Sequence, residues 1–361
     1  MHTKNLWCST LILSLLAGCM YNGDHVPESP YAASAQYADG VFHNQDGFPG
    51  LGGAGSWRAG LRTLLRSKVD TKPKTDIPVW ALSAHVLDEL DDSVNHLVRL
   101  GHSSLLLKLR GKYWLVDPVL SQRTSPVRFA GPRRYSKPPL QLEELPDIEG
   151  VVISHDHYDH LDAPTITFLA TRARRYLVPL GLKARLVGMG VPAERITELD
   201  WWQSATLDGL VITATPAQHF SGRGLWDTNR TLWASWVFES AGQRIFFSGD
   251  SGYFSGFRQI GQRFGAFDAV CIENGAYDAA WPAIHMRPEE TIQAFLDLRG
   301  KVLVPVHNGA FDLAYHVWSE PLAAMAKLAE AQGIALATPQ PGEPMTIGGA
   351  RVNLHWWEGI R

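Results

Sequence analysis

The sequence predicts an α/β fold with its strands in two clusters. Three observations carry that prediction. Residues 97–117 hold two apolar, strand-like runs joined by a tight turn at Arg110-Gly111-Lys112. Farther along, apolar strands alternate with helical stretches. Several apolar runs also end abruptly on a His or an Asp, which puts reactive side chains at strand ends. Pattern alone does not separate this arrangement from other layered sheets.

The chain has 361 residues, 45% of them hydrophobic, enough for one large core or two small ones. A formal net charge of -3 argues against nucleic acid as a partner. Residues 1–18 read as a targeting segment. Lys4 gives a weakly positive start, and the apolar stretch 6–16 is too short to span a bilayer. It ends Leu16-Ala17-Gly18-Cys19, which resembles a bacterial lipobox, so the expectation is cleavage before Cys19 and lipidation of its thiol. An ordinary secretory signal with an incidental Cys is the rival reading. Met20 after Cys19, rather than Asp, resembles an outer-membrane address, and the expected site is the periplasmic face of the outer membrane. Cys8 leaves with the signal and Cys19 is acylated, which leaves Cys271 without a disulfide partner.

Residues 19–55, rich in Gly, Pro, Ala, Asn and Asp, read as a tether. The domain is expected over residues 56–361. Its first stretch, 56–68, places Trp57, Leu61, Leu64 and Leu65 on one helical face beside Arg58, Arg62 and Arg66. Such a helix either lies on an anionic membrane or docks on the domain. Strands are expected over 104–109 and 113–117, then a loop to Pro139 carrying Arg123, Arg128, Arg133, Arg134 and Lys137. Val151-Val152-Ile153 reads as a short buried strand, and 163–171 as a helix start. Further strands are expected at 176–179, 210–214, 232–239, 244–248, 269–272 and 301–306, with helices at 288–298 and 320–332, the latter ending at Gly333.

The chemistry concentrates in Ser154-His155-Asp156-His157-Tyr158-Asp159-His160-Leu161, immediately after the buried strand. Imidazole and carboxylate are the usual ligands of zinc and related ions, and a turn at a strand end can aim two pairs of them in different directions. Three more candidates follow apolar runs: His219, Asp250 and His307.

This run resembles the His-x-His-x-Asp-His signature of the metallo-β-lactamase superfamily. Gly101-His102-Ser103-Ser104, Gly131-Pro132-Arg133-Arg134, Thr215-Pro216-Ala217-Gln218-His219, Glu273-Asn274-Gly275-Ala276-Tyr277 and His285-Met286-Arg287-Pro288-Glu289-Glu290 narrow it. They are similar to the N-acylphosphatidylethanolamine-hydrolysing phospholipase D-like family, over about residues 41–357. Asp278-Ala279-Ala280-Trp281-Pro282 departs from the pattern of the animal enzymes, which bears on acyl-chain or headgroup choice.

The resemblance implies a four-layer αββα sandwich with the metal site at one edge between the sheets. It implies two zinc ions or other divalent transition metals. His155, His157 and His219 would hold one, Asp159, His160 and His307 the other, and Asp250 would bridge them. It implies a phospholipase D-type phosphodiesterase acting on N-acylphosphatidylethanolamine-like lipids. A lactonase or other hydrolase of the superfamily is the alternative. Asp159, Asp250 and His285 are the expected catalytic residues; His285 either meets the phosphate or leaving group or sits at the surface. Tyr158, between ligands, is expected to face the pocket. Trp226, Tyr277 and Trp281 are expected to line a groove for acyl chains. Asp162 either orients a ligand imidazole or caps the helix after it. Membrane contact is expected through lipidated Cys19.

Overall fold

A computed structural model of the chain describes residues 29–47, 67–127, 129–350 and 352–360. The signal segment, Cys19 and nearly all of the basic amphipathic stretch 56–68 lie outside the described residues.

A small hairpin comes first, β1 (Tyr37–Ala38) and β2 (Val41–Phe42), followed by the short helix α1 (Ala84–Asp88). Next come β3 (His96–Gly101), β4 (Ser104–Leu109), β5 (Lys112–Val116) and β6 (Ile148–Val152). Helix α2 (Ala163–Leu169), β7 (Tyr176–Pro179), α3 (Lys183–Gly188) and β8 (Ile196–Leu199) complete the first half. The second half holds β9 (Ser204–Leu207), β10 (Leu210–Thr215), β11 (Ser235–Ser240) and β12 (Gln243–Phe247). It continues with α4 (Gly256–Phe264), β13 (Ala269–Glu273), α5 (Pro288–Asp297), β14 (Leu303–Val306) and α6 (Glu320–Gln332). Strand β15 (Pro344–Thr346) closes the list.

Seven strands form one sheet in the order β15-β3-β4-β5-β6-β7-β8, and six form the other, β14-β13-β12-β11-β10-β9. In β4, Leu105 and Leu107 point between the sheets, while Leu106 points the other way. The inner core sets Leu97, Leu107 and Trp114 of the first sheet together with Trp236, Phe238 and Phe247 of the second. Ile166 and Leu186 of α2 and α3 cover the outer face of the first sheet. Phe257, Phe295 and Met325 of α4, α5 and α6 cover that of the second. Burial on both faces is what makes these strands near-continuous apolar runs. The result is the four-layer αββα sandwich. Gly150 in β6 is required by packing, since a Cβ there would stand 2.3 Å from the Trp114 ring.

Strand direction places the site. Strands β5 and β6 run parallel, and β3 joins their direction through antiparallel β4. Strands β12, β13 and β14 run parallel, and β10 joins theirs through antiparallel β11. Seven strand ends therefore open on one rim, where the sheets meet. There His307 N–H donates to the His102 carbonyl (3.1 Å) and Ala234 N–H to that of Ser154 (2.9 Å).

Two parts of the sequence reading change. The stretch 19–55 is not all tether, because residues 29–47 fold onto the domain. Phe42 is fully buried, and its ring lies 5.0 Å from that of Tyr37. The glycines and prolines around them masked three packed aromatics. Elements too short or too polar to show periodicity also went unread: α3, β8, β9 and β15. Helix α4 was missed too, although Phe257, Ile260 and Phe264 are spaced along one helical face.

Candidate metal centre

The ligand loop is fixed from beneath. As β6 ends, Ser154 donates both its N–H (2.7 Å) and its hydroxyl (2.5 Å) to the Asp117 carboxylate at the end of β5. The same carboxylate takes His160 Nδ1 at 2.6 Å. That bond fixes the imidazole and leaves Nε2 to face Asp250 Oδ1 (3.0 Å) and Asp159 Oδ2 (3.6 Å). His307 Nε2 stands 3.1 Å from Asp250 Oδ2 and 3.4 Å from Asp159 Oδ2.

The other half gathers around the second face of Asp250. His155 Nε2 lies 2.9 Å from His157 Nδ1, and His219 Nε2 lies 3.2 Å from the same atom. Asp250 Oδ2 is 3.8 Å from His155 Nε2 and 3.7 Å from His219 Nε2. Nitrogen and oxygen ligands bound at about 2.0–2.2 Å to a tetrahedral ion stand roughly 3.3–3.6 Å apart. The spacings in both halves scatter around that value.

Two further observations fit metal binding. His160 Nε2, His307 Nε2 and Asp250 Oδ1 are buried and find no hydrogen-bond partner among the described residues. Buried polar atoms without a partner demand an explanation, and convergence on one point supplies it. The backbone is also forced. His102, Asp117 and His307 adopt left-handed conformations (φ 54°, 41° and 62°), which non-glycine residues hold only where surroundings over-determine them. Gly249 (φ 56°) precedes Asp250, and a Cβ there would stand 2.7 Å from Ser154 Cβ.

Electrostatics divide the halves. Burial first, then neighbouring rings, hold His155 and His219 well below the usual imidazole range, so both are neutral donors. Burial also opposes charge on His160 and His307, but the carboxylates outweigh it. Asp250, Asp159 and Asp117 hold His160 well above its usual range, and His307 rises to about 10 beside Asp250 and Asp159. Burial would raise Asp159 and Asp250, yet the surrounding imidazoles hold both well below the usual carboxylate range. The second half thus demands positive charge, which protons supply whenever a metal cation does not.

The structure brings together all seven predicted ligands. His285 joins them: its ring is 5.0 Å from that of His307, and Nδ1 sits 2.7 Å from Glu273 Oε2. Tyr158 flanks the ligand loop, its ring stacked under the Arg223 guanidinium at 3.9 Å and its hydroxyl donating to the Arg223 carbonyl at 2.8 Å.

Tyr277 and Trp281 are not brought to the ligands. The Tyr277 hydroxyl bonds to Glu320, and its ring lies 4.7 Å from His316 in a separate hollow of about 360 Å³. The Trp281 indole donates to the Ala276 carbonyl (2.7 Å). Trp226 is 90% exposed and is not among the residues lining the groove beside the ligand loop. Asp162 orients no ligand; its carboxylate takes the Thr165 hydroxyl (2.5 Å) and the Ser121 N–H (3.2 Å).

Four residues carry roles that reading the chain did not assign. His102 Nε2 meets Asp159 Oδ2 at 3.0 Å, and its ring lies 4.1 Å from that of His307. Asp117 and Glu273 orient His160 and His285. The one available signal was their position: Asp117 follows four buried residues of β5, and Glu273 ends the fully buried β13. Asn44 takes the His219 N–H (3.0 Å) and donates to its carbonyl (2.7 Å) across 175 residues of sequence. No local pattern predicts that contact.

Residues 112–308 match a family model described as a beta-lactamase superfamily domain. An uncharacterized protein of Mycobacterium tuberculosis is 48% identical over 262 residues, 71% of this chain and 70% of its own. The N-acyl-phosphatidylethanolamine-hydrolyzing phospholipase D 1 of Caenorhabditis elegans is 34% identical over 292 residues, 76% of this chain and 82% of its own. Among solved structures, a metallo hydrolase of Ignicoccus hospitalis superposes with a TM-score of 0.53 at 22% identity, over 70% of this chain and 98% of its own.

Proposed function

Because this chain belongs to the metallo-β-lactamase superfamily of metal-dependent hydrolases, with N-acylphosphatidylethanolamine-hydrolysing phospholipases D among its relatives, we propose that it is a binuclear zinc phosphodiesterase. Its substrates are N-acylphosphatidylethanolamine-like lipids, cleaved in the manner of a phospholipase D. We place it at the bacterial envelope, held by acyl chains on Cys19. The observation that carries the reading is Asp250, whose two oxygens are shared between two sets of imidazoles.

His155, His157, His219 and Asp250 would hold one ion; Asp159, His160, His307 and Asp250 would hold the other. Two bound ions supply Lewis acidity toward phosphoryl oxygens and lower the pKa of water to about 7. The remaining work falls to the chain. Asp117 and the Ile284 carbonyl, 3.1 Å from His219 Nδ1, fix ring orientation. Displacement at phosphorus joins a water oxygen to it and breaks the bond to the headgroup oxygen. That oxygen leaves as an alkoxide and must take a proton. His285, paired with Glu273 through Nδ1, has Nε2 available for that transfer or for the phosphate.

The test compares kcat/KM on a long-chain N-acylated phosphatidylethanolamine, a soluble aryl phosphodiester and a long-chain lactone, before and after chelation and zinc return. The lipid should rank first, and chelation should abolish turnover reversibly. A lactone value above both phosphodiesters would replace this reading with a lactonase.

A further inference from the structure

The largest apolar side chains turned to water sit on two loop tips. Phe129 is 83% exposed, Leu225 87% and Trp226 90%; no other large hydrophobic among the described residues exceeds 64%. Neither tip is slack. The Asp227 carboxylate takes the N–H groups of Arg223 (3.1 Å) and Gly224 (2.7 Å), closing a turn that pushes Leu225 and Trp226 outward. Arg185 holds the same carboxylate at 2.7 Å. On the other loop, Thr124 N–H donates to the Pro132 carbonyl (3.2 Å), and the Arg123 guanidinium to that of Gly131 (2.6 Å). The segment so closed presents Phe129.

Both loops border one groove of about 590 Å³. Pro126, Val127 and Phe168 give it an apolar wall, Arg123 and Arg223 supply positive charge, and Tyr158 joins it to the ligand loop. The longer loop is also one-signed. Residues 118–142 hold four arginines and one lysine and no Asp or Glu. Braced apolar tips beside a basic, acid-free segment are complementary to an anionic lipid surface, where aromatic and aliphatic groups enter the interface and cations meet headgroups.

We propose that Phe129, Leu225 and Trp226 insert into an anionic bilayer and seat the mouth of the groove on it, so that a lipid passes to the ligand loop without crossing water. This deepens, and rests on, the reading of the substrate as a membrane lipid. Arg123 and Arg133 would lie against the headgroups, whereas Lys137 is paired with Asp76 at 3.0 Å.

The test uses the full chain, zinc-loaded, on phosphatidylglycerol-containing vesicles. Brominated acyl chains in the vesicles should quench part of the tryptophan emission, and Trp226→Phe should remove most of that quenched part. Leu225→Ser/Trp226→Ser and Phe129→Ser should each lower kcat/KM on a vesicle-borne N-acylated phospholipid at least about fivefold. Turnover of a soluble aryl phosphodiester should stay unchanged. Equal quenching in parent and Trp226→Phe, or equal vesicle activity in parent and Ser variants, would overturn the proposal. So would a parallel loss on the soluble diester. The quenching arm reads insertion without turnover, so failure of the lipid-substrate reading alone would leave it intact.

Discussion

The two halves of the site use the same kinds of ligand in different electrical surroundings. Around His155 and His219, burial and other imidazoles dominate, and the rings are neutral before any cation arrives. Around His160 and His307, three carboxylates dominate, and the rings hold protons. One half is therefore set for a cation in advance, whereas the other must release protons to take one. The supports differ as well. Asp117, a buried charge, orients the second half, while Asn44 and the Ile284 carbonyl, both neutral, orient His219 in the first.

Asp250 belongs to both halves, so changing it should erase the contrast. Asp250→Asn should lower activity more than about a thousandfold and reduce metal content in both halves together. Elemental analysis alongside turnover checks this. Full retention of one ion would mean that the halves do not depend on a shared carboxylate.

Asp117 bonds a ligand of the second half directly and reaches the first only through the Ser154 hydroxyl, 2.9 Å from His155 Nδ1. Asp117→Asn keeps an oxygen for Ser154 but withdraws the charge that fixes His160, and should weaken one binding step about 10–100-fold. Competition with a chelator measures both steps; equal weakening would remove the distinction.

Acidity should separate the halves without mutation. His307 holds its proton up to about 10, above the ordinary imidazole value, so at neutral pH a cation must displace it. The sign follows: affinity in the second half should rise with pH, about tenfold per unit for each proton released, and the gain should end near the raised pKa. His155 and His219 are already neutral at pH 7, so the first step should stay nearly flat between about pH 6 and about pH 8. Zinc titrations across that range decide it, and parallel slopes would refute the comparison. In the metal-free protein, the raised His307 contributes stability that is complete below the unfolded pKa of about 6.5. That stability is lost as pH climbs through about 10.

The smallest effect is expected in the first half. Asn44→Ala leaves the His219 N–H without its acceptor, while the Trp233 indole keeps the Ala217 carbonyl at 2.9 Å. An unsatisfied buried donor costs about 1–3 kcal/mol, which thermal unfolding would register. The first binding step should weaken modestly and the second not at all.

The sequence by itself determined the donors and the apolar strands that carry them. His155 to His160 are covalent neighbours after a buried strand, and His219, Asp250 and His307 each close an apolar run. Strand period and burial are local properties, so the cluster of strands at 96–116 and the late helices were legible in composition. How the donors divide follows from the family resemblance but from no local pattern, and it is tertiary structure that brings the division about. The shared direction of β3 with β5 and β6 through β4, and of β10 with β12, β13 and β14 through β11, aims these seven strand ends at one rim. Only there does Asp250 come to face two sets of imidazoles. The same holds for the supports and the pocket. Asn44 reaches His219 across 175 residues, and His102 reaches Asp159 across 57. Tyr277 spends its hydroxyl on Glu320 instead of lining the site. Chain order carries no record of such contacts, because partner choice depends on which strand ends the sheets bring together.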